Sequence, residues 1–392
     1  MRVVIAIDKF KGTLTARQAA DAIAEGLQDA SGGRMALEIE RVPMADGGDG
    51  SMATIRRYLS AQEVECRAHN PLGREIPASY LLYREAPEGP LCAFIEMARV
   101  SGLVLLEESE RNPLHTSSLG LGELILDASR RGAREIYVSI GGSATNDAGT
   151  GMLQALGYTF PDASGSPLEP MCGAALEQVA AILPPQGESP LQGAHINVIC
   201  DVTNPLLGPD GATMVYAPQK GADAAMLERL ERGMAHFASI AEAAGADSAF
   251  AERPGAGAAG GVGYALAALL GAEMISGWNF FAKITGLREK IARADLVISG
   301  EGKIDSQSFC GKVVDGVVQI ARSYDKPVLL FCGVAELEGI GSALGVKREN
   351  DMHIYSLNMI EPDLKICMED AGGVLRDLVR IAVRYSGIYR EY

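Results

Sequence analysis

Two kinds of segment alternate along both ends of this chain, and their alternation restricts the fold more than any other feature of the sequence. Short β-branched runs at 3–7 and 37–42 are followed by alanine- and leucine-rich patterns of helical period at 16–27 and 51–59. Because strand and helix patterns that alternate in this way are typical of βαβ units, they predict a parallel sheet covered by helices.

The same alternation returns near the C-terminus, at 296–299, 313–323, 328–331, 353–356 and 369–384. In contrast, the segment from about 64 to 83 contains two alternating strands around an "NPLGR" turn, which is typical of a β-hairpin. A chain of 392 residues is long enough for two domains. We therefore expect an α/β protein with a discontinuous, Rossmann-like parallel-sheet domain, residues 1–65 plus 291–392, into which a second α/β domain, 66–290, is inserted.

Composition and charge exclude several classes of protein. Hydrophobic residues make up 47% and charged residues 22%, as in ordinary globular proteins. The net charge is −15 and no long cluster of lysine and arginine occurs, so nucleic acid is not an expected partner. The seven cysteines form no CxxC pair, and we find neither a signal-peptide pattern nor an apolar run of about 18 residues. We expect a cytoplasmic protein with reduced thiols and no membrane association.

Acidic residues stand in glycine-rich or polar loops that directly follow predicted strands. These are Asp8 in "DKFKGT", Asp46 in "MADGGDGS", Asp147 in "GGSATNDAGTG", Asp201 at the end of "NVICD" and Asp305 in "SGEGKID". One such loop alone is most often a turn, because Asp and Gly both favour turns. Several of them at strand ends favour a site, since ligands of open α/β sheets bind outside the carboxyl ends of the strands.

Phosphoryl transfer is the chemistry that best suits this set of residues. It needs backbone N–H groups, a lysine, carboxylates for Mg²⁺ and an acid that orients or deprotonates the attacking hydroxyl. The "GGSATNDAGTG" segment offers backbone donors where a helix is predicted to start. No GxxxxGK[ST] motif occurs, so a P-loop is excluded.

The "GAGAAG" segment at 255–260 matches the GxGxxG pattern of dinucleotide-binding folds. No predicted strand leads into it, so it favours close helix packing or a phosphate cradle over a nicotinamide site. A dehydrogenase that uses this loop and a non-catalytic sensor of nucleotides or hydroxy acids remain as alternatives.

Read in order, the loops resemble the motif series of a known family. The motifs are "IAIDKFKGTLTA", "PMADGGDGS", "IEMARVSGL", "NPLHTSSLGLGELI", "IGGSATNDAGTGMLQALG", "CDVTNPLLGPDGAT", "APQKGA", "PGAGAAGGVGYAL" and "DLVISGEGKIDSQS". From residue 3 to about 340 the chain is similar to the bacterial glycerate kinases of the first class.

The resemblance implies an enzyme that uses ATP and Mg²⁺ to phosphorylate D-glycerate, most often at the 2-hydroxyl, with 2-phosphoglycerate as the product. It also implies two α/β domains, one Rossmann-like and discontinuous and the other inserted into it, with the active site in the cleft between them. A glycerate 3-kinase and an NAD-dependent hydroxy-acid dehydrogenase are the alternatives.

Candidate roles follow for the acids, lysines and glycine loops, given the substrates that the resemblance implies. Asp201 is the preferred general base and Asp46 the second choice. Lys11 and Lys303 each lie beside a glycine and are the candidate cations for a phosphate or carboxylate, whereas Asp8 and Asp305, with Asp46, are candidates for Mg²⁺. The candidates for binding substrate or phosphate are Gly141, Gly142, Ser143, Thr145, Asn146, Asp147, Gly300 and Gly302.

Overall fold

We describe a computed structural model that covers residues 1–33, 35–44, 51–309, 312–336 and 352–385. The chain divides into two compact units: Met1–Asp46 together with Trp278–Tyr392 form the first, and Gly47–Gly277 form the second. Each unit contains one β-sheet and its own buried hydrophobic core. The α/β class expected from the sequence is confirmed, while the domain bounds given above stay a prediction.

Strands and helices alternate at both ends of the described chain, as predicted. The strands are β1 (Arg2–Ile7), β2 (Glu38–Pro43), β3 (Gln62–His69), β4 (Glu75–Tyr83), β5 (Cys92–Glu96), β6 (Glu135–Ser139), β7 (His195–Ile199), β8 (Glu273–Ile275), β9 (Leu296–Ile304), β10 (Val328–Ala335) and β11 (Met352–Ser356). The α-helices are α1 (Ala16–Ser31), α2 (Ser51–Tyr58), α3 (Ala98–Ser101), α4 (Leu119–Arg130), α5 (Thr150–Ala155), α6 (Ala212–Tyr216), α7 (Ala224–Ala243), α8 (Ala258–Tyr264), α9 (Gly277–Ile284), α10 (Leu287–Ala292), α11 (Val313–Ser323), α12 (Leu364–Glu369) and α13 (Ala371–Tyr385).

The sheet of the first unit is parallel in every described pairing, with the strand order β11-β10-β9-β1-β2. The β1 residues from Val3 to Ile7 are all buried. A strand that is apolar on both faces is typical of a parallel sheet with helices on both sides. Because β1 and β9 are parallel neighbours, the residues that follow them emerge at the same edge of the sheet.

Helix α1 begins at a capping box and packs closely on α13. The Gln18 amide donates to the Thr15 hydroxyl over 3.2 Å, and the Gln18 side chain accepts from the Thr15 amide over 2.9 Å. This reciprocal pair satisfies two amides that the helix start leaves without partners. At Gly26 a Cβ would lie 2.5 Å from the Arg376 carbonyl oxygen, so α13 can approach only because that residue is glycine.

The "SGEGK" stretch corrects one prediction from the sequence, because β9 does not end at Ser299. The strand continues through Gly300 to Ile304 and remains paired with β10, with Glu301 opposite Cys332. A Cβ at Gly300 would lie 1.8 Å from the Phe331 carbonyl oxygen. The glycine therefore permits close approach of the neighbouring strand, whereas the sequence pattern had indicated a break.

The sheet of the second unit has the order β3-β4-β5-β6-β7-β8. Strands β3, β4 and β5 are antiparallel, and β5 to β8 are parallel. The predicted hairpin is confirmed: in its turn, the Asn70 side chain accepts from the amides of Leu72 over 3.0 Å and Arg74 over 2.9 Å, and Gly73 has a φ of 73°. An Asn that binds the backbone ahead of it and a glycine in the left-handed region together define this turn.

In the described part of the chain, no helix combines the length and the apolar character that crossing a membrane requires.

Candidate active site

In the first unit, the residues that follow β1 lie against β9. The Asp8 amide donates to the Gly300 carbonyl over 3.0 Å, and the Asp8 carboxylate accepts from the Lys9 amide over 2.7 Å. A Cβ at Gly302 would lie 3.1 Å from the Lys11 amide nitrogen, so the loop after β1 approaches β9 closely at that point. The structure thus brings four predicted site residues, Asp8, Lys11, Gly300 and Gly302, to one edge of the sheet.

Two other predicted site residues, Lys303 and Asp305, contact each other at the end of β9. The Lys303 ammonium lies 3.6 Å from the Asp305 carboxylate and 2.9 Å from that of Glu336. The hydrogen bond that Lys303 donates to Glu336 is the largest of the causes that raise the pKa of Lys303. Lys303 therefore stays charged at neutral pH, and its side chain is about half exposed.

Glu301 is a candidate that the sequence reasoning missed. Its Oε1 atom is buried and has no hydrogen-bond partner among the described residues. Burial is the largest cause and raises the pKa of Glu301. A hydrogen bond from Ser308 and the positive charges of Lys312 and Lys11 lower this pKa, whereas the negative charge of Asp305 raises it further. Its position between two glycines was the available signal, since both neighbours in the sequence were already candidates.

In the second unit, the Asp147 carboxylate occupies the start of α5. It is fully buried and accepts from the amide and hydroxyl of Ser118, both over 2.8 Å. It also accepts from the amides of Gly149 over 3.1 Å and Gly151 over 3.2 Å. The amides of Gly149 and Gly151, which the sequence indicated as free donors, therefore bind the protein's own carboxylate. Asp147 thus stabilises the conformation of this loop.

The glycines of "GAGAAG" serve close backbone packing against the same loop. The Ala148 amide donates to the Gly260 carbonyl over 3.0 Å, and a Cβ at Gly260 would lie 2.1 Å from the Thr145 carbonyl oxygen. A 3₁₀ turn at Ser248–Glu252 precedes the segment, and no strand leads directly into it. These contacts account for Gly260 without a dinucleotide.

A second residue that the sequence reasoning missed is Lys220, which binds the segment after β6. Gly141 and Gly142 follow that strand, and Ser143 comes next. The buried Lys220 ammonium donates to the Ser143 hydroxyl over 3.0 Å and to the Thr145 carbonyl over 2.7 Å. Its position beside Gly221 in "APQKGA" was a local signal of the kind used for Lys11 and Lys303, but its contact with Ser143, 77 residues away in the sequence, depends on the fold.

Asn146 lies in the same segment and is fully buried. Its Nδ2 donates to the Thr213 hydroxyl over 3.1 Å, which ties the segment to α6. The predicted residues Ser143, Thr145, Asn146 and Asp147 therefore form one buried, polar cluster with Thr213 and Lys220, whereas Gly141 and Gly142 are exposed.

The half-buried Asp201 follows β7 at the carboxyl end of the parallel strands of the second unit. Its Oδ1 accepts from the Ser276 hydroxyl over 3.1 Å and from the Gly277 amide over 2.9 Å. These bonds fix the orientation of the carboxylate at the start of α9. Asp46, the second candidate for the general base, lies outside the described residues.

The chain is similar to proteins of one family over most of its length. The model of the "Glycerate kinase family" matches residues 3–386. A glycerate kinase of Bacillus subtilis (strain 168) is 42% identical over 333 residues, which are 85% of each chain. A glycerate 2-kinase of Escherichia coli (strain K12) is 41% identical over 333 residues, again 85% of each chain. A crystal structure from Salmonella typhimurium LT2, described as glycerate kinase 2, has a TM-score of 0.77 with 35% identity and covers 100% of both chains.

Proposed function

Since this chain belongs to the glycerate kinase family, which makes it a kinase that uses ATP, we propose that it phosphorylates D-glycerate at the 2-hydroxyl to give 2-phosphoglycerate. The match of the family model to residues 3–386 is the observation that carries the proposal. The name of the Escherichia coli relative, a glycerate 2-kinase, supports the choice of hydroxyl.

Asp201 is the proposed general base, which takes the proton of the attacking hydroxyl. A base for this step must be held in a fixed direction, and the bonds from Ser276 and Gly277 to one carboxylate oxygen meet that requirement. Asp46 is retained as the alternative base.

Lys11 and Lys303 are the proposed cations for phosphate oxygens. Phosphoryl transfer spreads negative charge over these oxygens, and positioned cations stabilise that charge. The close approach of the Lys11 backbone to Gly302 holds the first lysine beside β9. Gly300 and Gly302 contribute by allowing backbone to approach without side chains.

Asp8 and Asp305 are the proposed Mg²⁺ ligands, with the missed Glu301 beside them. Carboxylate oxygens suit this hard ion, and the Glu301 oxygen without a partner fits a site that a bound cation completes. Among the described residues no group of three or more His, Cys, Asp and Glu could hold a metal by itself. In proteins Mg²⁺ is commonly held by one or two carboxylates, with its other ligands from nucleotide phosphates and water. When bound, Mg²⁺ neutralises charge on the phosphates.

The segment from Gly141 to Asp147 is the proposed cradle for oxygens of a substrate, either the nucleotide phosphates or the glycerate carboxylate. Ser143, Thr145 and Asn146 supply polar side chains, and Gly141 and Gly142 supply backbone amides. Asp147 contributes indirectly, because its bonds to Ser118, Gly149 and Gly151 shape the loop.

Phosphorus NMR of the product from D-glycerate and ATP tests the activity and the position of transfer together. A phosphate on the 2-hydroxyl couples to one carbon-bound proton and gives a doublet, whereas one on the 3-hydroxyl couples to two and gives a triplet. We expect the doublet. A triplet would make the enzyme a 3-kinase, and an unchanged ATP spectrum would contradict the proposal.

An assay at 340 nm with a nicotinamide cofactor tests the dehydrogenase alternative. We expect no absorbance change with D-glycerate or with its oxidised form. A cofactor-dependent change without ATP consumption would favour the dehydrogenase.

A further inference from the structure

We propose that Lys220 is a positioning residue that acts through Ser143: it holds the Ser143 hydroxyl so that the hydroxyl's own proton is donated to an oxyanion of a substrate. The inference rests on the proposed function and deepens it, because it assigns a donor and its support to the predicted cradle.

The hydrogen bonds of Lys220 set the direction of the Ser143 hydroxyl. In its charged form a lysine has three N–H donors and no acceptor. Since the Lys220 ammonium donates to Ser143 over 3.0 Å, the Ser143 oxygen is the acceptor and its own hydrogen must point elsewhere. The Ser143 hydroxyl donates no hydrogen bond to the described residues. The bond from Lys220 to the Thr145 carbonyl, 2.7 Å long, fixes the amine that sets this direction.

Neighbouring polar atoms of the cluster are also without hydrogen-bond partners in the described chain. Thr145 and Asn146 are both fully buried, and within the described chain neither the Thr145 hydroxyl nor Asn146 Oδ1 has a hydrogen-bond partner. Leaving such a group unsatisfied is unfavourable, so native proteins do so rarely and often at functional sites. The cluster thus has hydrogen-bonding capacity that a ligand can use.

The charge of the buried Lys220 amine depends on what binds beside it. Lys220 is 2% exposed and forms no ion pair with the described residues. Burial lowers the pKa of Lys220 to about 7, while the negative charge of Asp147 opposes that change. An oxyanion at Ser143 adds a second negative charge and favours the ammonium. Binding above neutral pH should therefore take up a proton.

The oxyanion has two sources in the proposed reaction, the glycerate carboxylate and the ATP phosphates. The test therefore measures the Michaelis constant of each substrate, with the other saturating, for the wild type, Lys220→Met, Ser143→Ala and the double variant. We expect each single variant to raise one constant by about 10-fold or more, the usual effect of a lost hydrogen bond to a charged group. The substrate that is affected identifies the source.

The double variant separates a shared action from a general loss of stability. If Lys220 acts through Ser143, the double variant should resemble Ser143→Ala, because the lysine then has no hydroxyl to position. Effects that simply multiply, or constants unchanged for both substrates, would overturn the proposal. Ser143→Thr keeps the hydroxyl and should restore near wild-type binding, and exposed Lys365→Met is the matched control for the lysine change.

Calorimetry at about pH 8 in buffers of different ionisation enthalpy supplies a readout that a purely structural lysine would not change. We expect the wild type to take up a proton when the affected substrate binds and Ser143→Ala to take up less. Equal uptake in both would contradict the proposal. If Lys220→Met does not fold, Ser143→Ala and Ser143→Thr still decide: an unaffected Ser143→Ala overturns the inference.

Failure of the proposed function and failure of the role of Lys220 can be distinguished. If the wild type makes no phosphoglycerate, the proposed function is wrong. If it does, and the variants keep wild-type constants, only the role of Lys220 and Ser143 is wrong.

Discussion

Gly260 packs so closely against Thr145 that a Cβ on the glycine would lie 2.1 Å from the Thr145 carbonyl oxygen. That same carbonyl accepts a hydrogen bond from the Lys220 ammonium. One peptide group therefore joins the "GAGAAG" segment to the proposed cradle, and the packing of the first controls the position of the second.

Gly260→Ala should destabilise the protein more than a glycine replacement in open space. Gly260 has a φ of 67°, and Gly271 has a φ of 68° with nothing within 4 Å of its Cβ position, so Gly271→Ala is a matched control for backbone strain. The control should cost about 1–2 kcal/mol and Gly260→Ala about 1–3 kcal/mol more, because the Thr145 carbonyl must move. Urea unfolding of both variants measures the difference, and equal losses would refute the packing argument.

Asp201→Asn should lower turnover by about 10²–10⁴-fold while nucleotide affinity stays near normal. The amide keeps an oxygen that can accept from Ser276 and Gly277, so the local structure should survive. Steady-state kinetics and nucleotide titration measure the two effects. Asp162→Asn makes the same chemical change in an exposed turn and should leave turnover unchanged. Near wild-type turnover of Asp201→Asn would remove Asp201 from the role of base.

Lys303→Ala should raise the Michaelis constant of ATP or lower turnover by about 10-fold, since a charge-assisted contact to phosphate is lost. Glu336→Gln is the matched control: it removes the partner 2.9 Å from the ammonium but leaves the charge of Lys303. It should retain most activity. Unchanged kinetics for Lys303→Ala would identify Lys303 as a surface residue.

Much of the first unit could be predicted because its signals are local. The β-branched run before Asp8 indicated a buried strand, and the alternation of strand and helix patterns predicted that the strands of this unit are parallel. Since parallel strands end at one edge, the sequence placed Asp8 and Gly300 at a common edge of the sheet. The strand order that makes β1 and β9 neighbours, with the 3.0 Å bond between the two backbones, did not follow from the sequence. The extension of β9 beyond Ser299 could not be predicted from the sequence. A glycine in a strand pattern usually indicates the end of the strand, and only the structure shows that Gly300 permits the close approach of Phe331.

In the second unit, Lys220 was missed because its contacts depend on long-range packing. Lys220 follows no predicted strand and has no acid or glycine pattern of its own beyond Gly221. Its contacts with Ser143 and Thr145 arise only when α6 packs beside the segment after β6. The same holds for Asp147: the sequence indicated an acid in a loop, but only the fold shows that its carboxylate binds Ser118.

Lys220→Met should change how stability depends on pH. The pKa of Lys220 is about 7 in the folded protein and 10.5 for an ordinary lysine, so between these values the unfolded chain holds more protons. The free energy of unfolding contributed by this residue therefore rises with pH in that window, by up to about 1.4 kcal/mol per pH unit. Below pH 7 both states bind the proton, and the residue keeps its full destabilising effect.

The measurement is urea unfolding of the wild type and the variant at several values between about pH 7 and about pH 9.5. We expect the stability of the wild type relative to Lys220→Met to increase across this range, because the variant has no amine to titrate. Other groups titrate in both proteins and cancel in the difference. Lys365→Met, at an exposed position, should show no such trend relative to the wild type. Parallel pH profiles for the wild type and Lys220→Met would show that the buried amine titrates as an ordinary lysine.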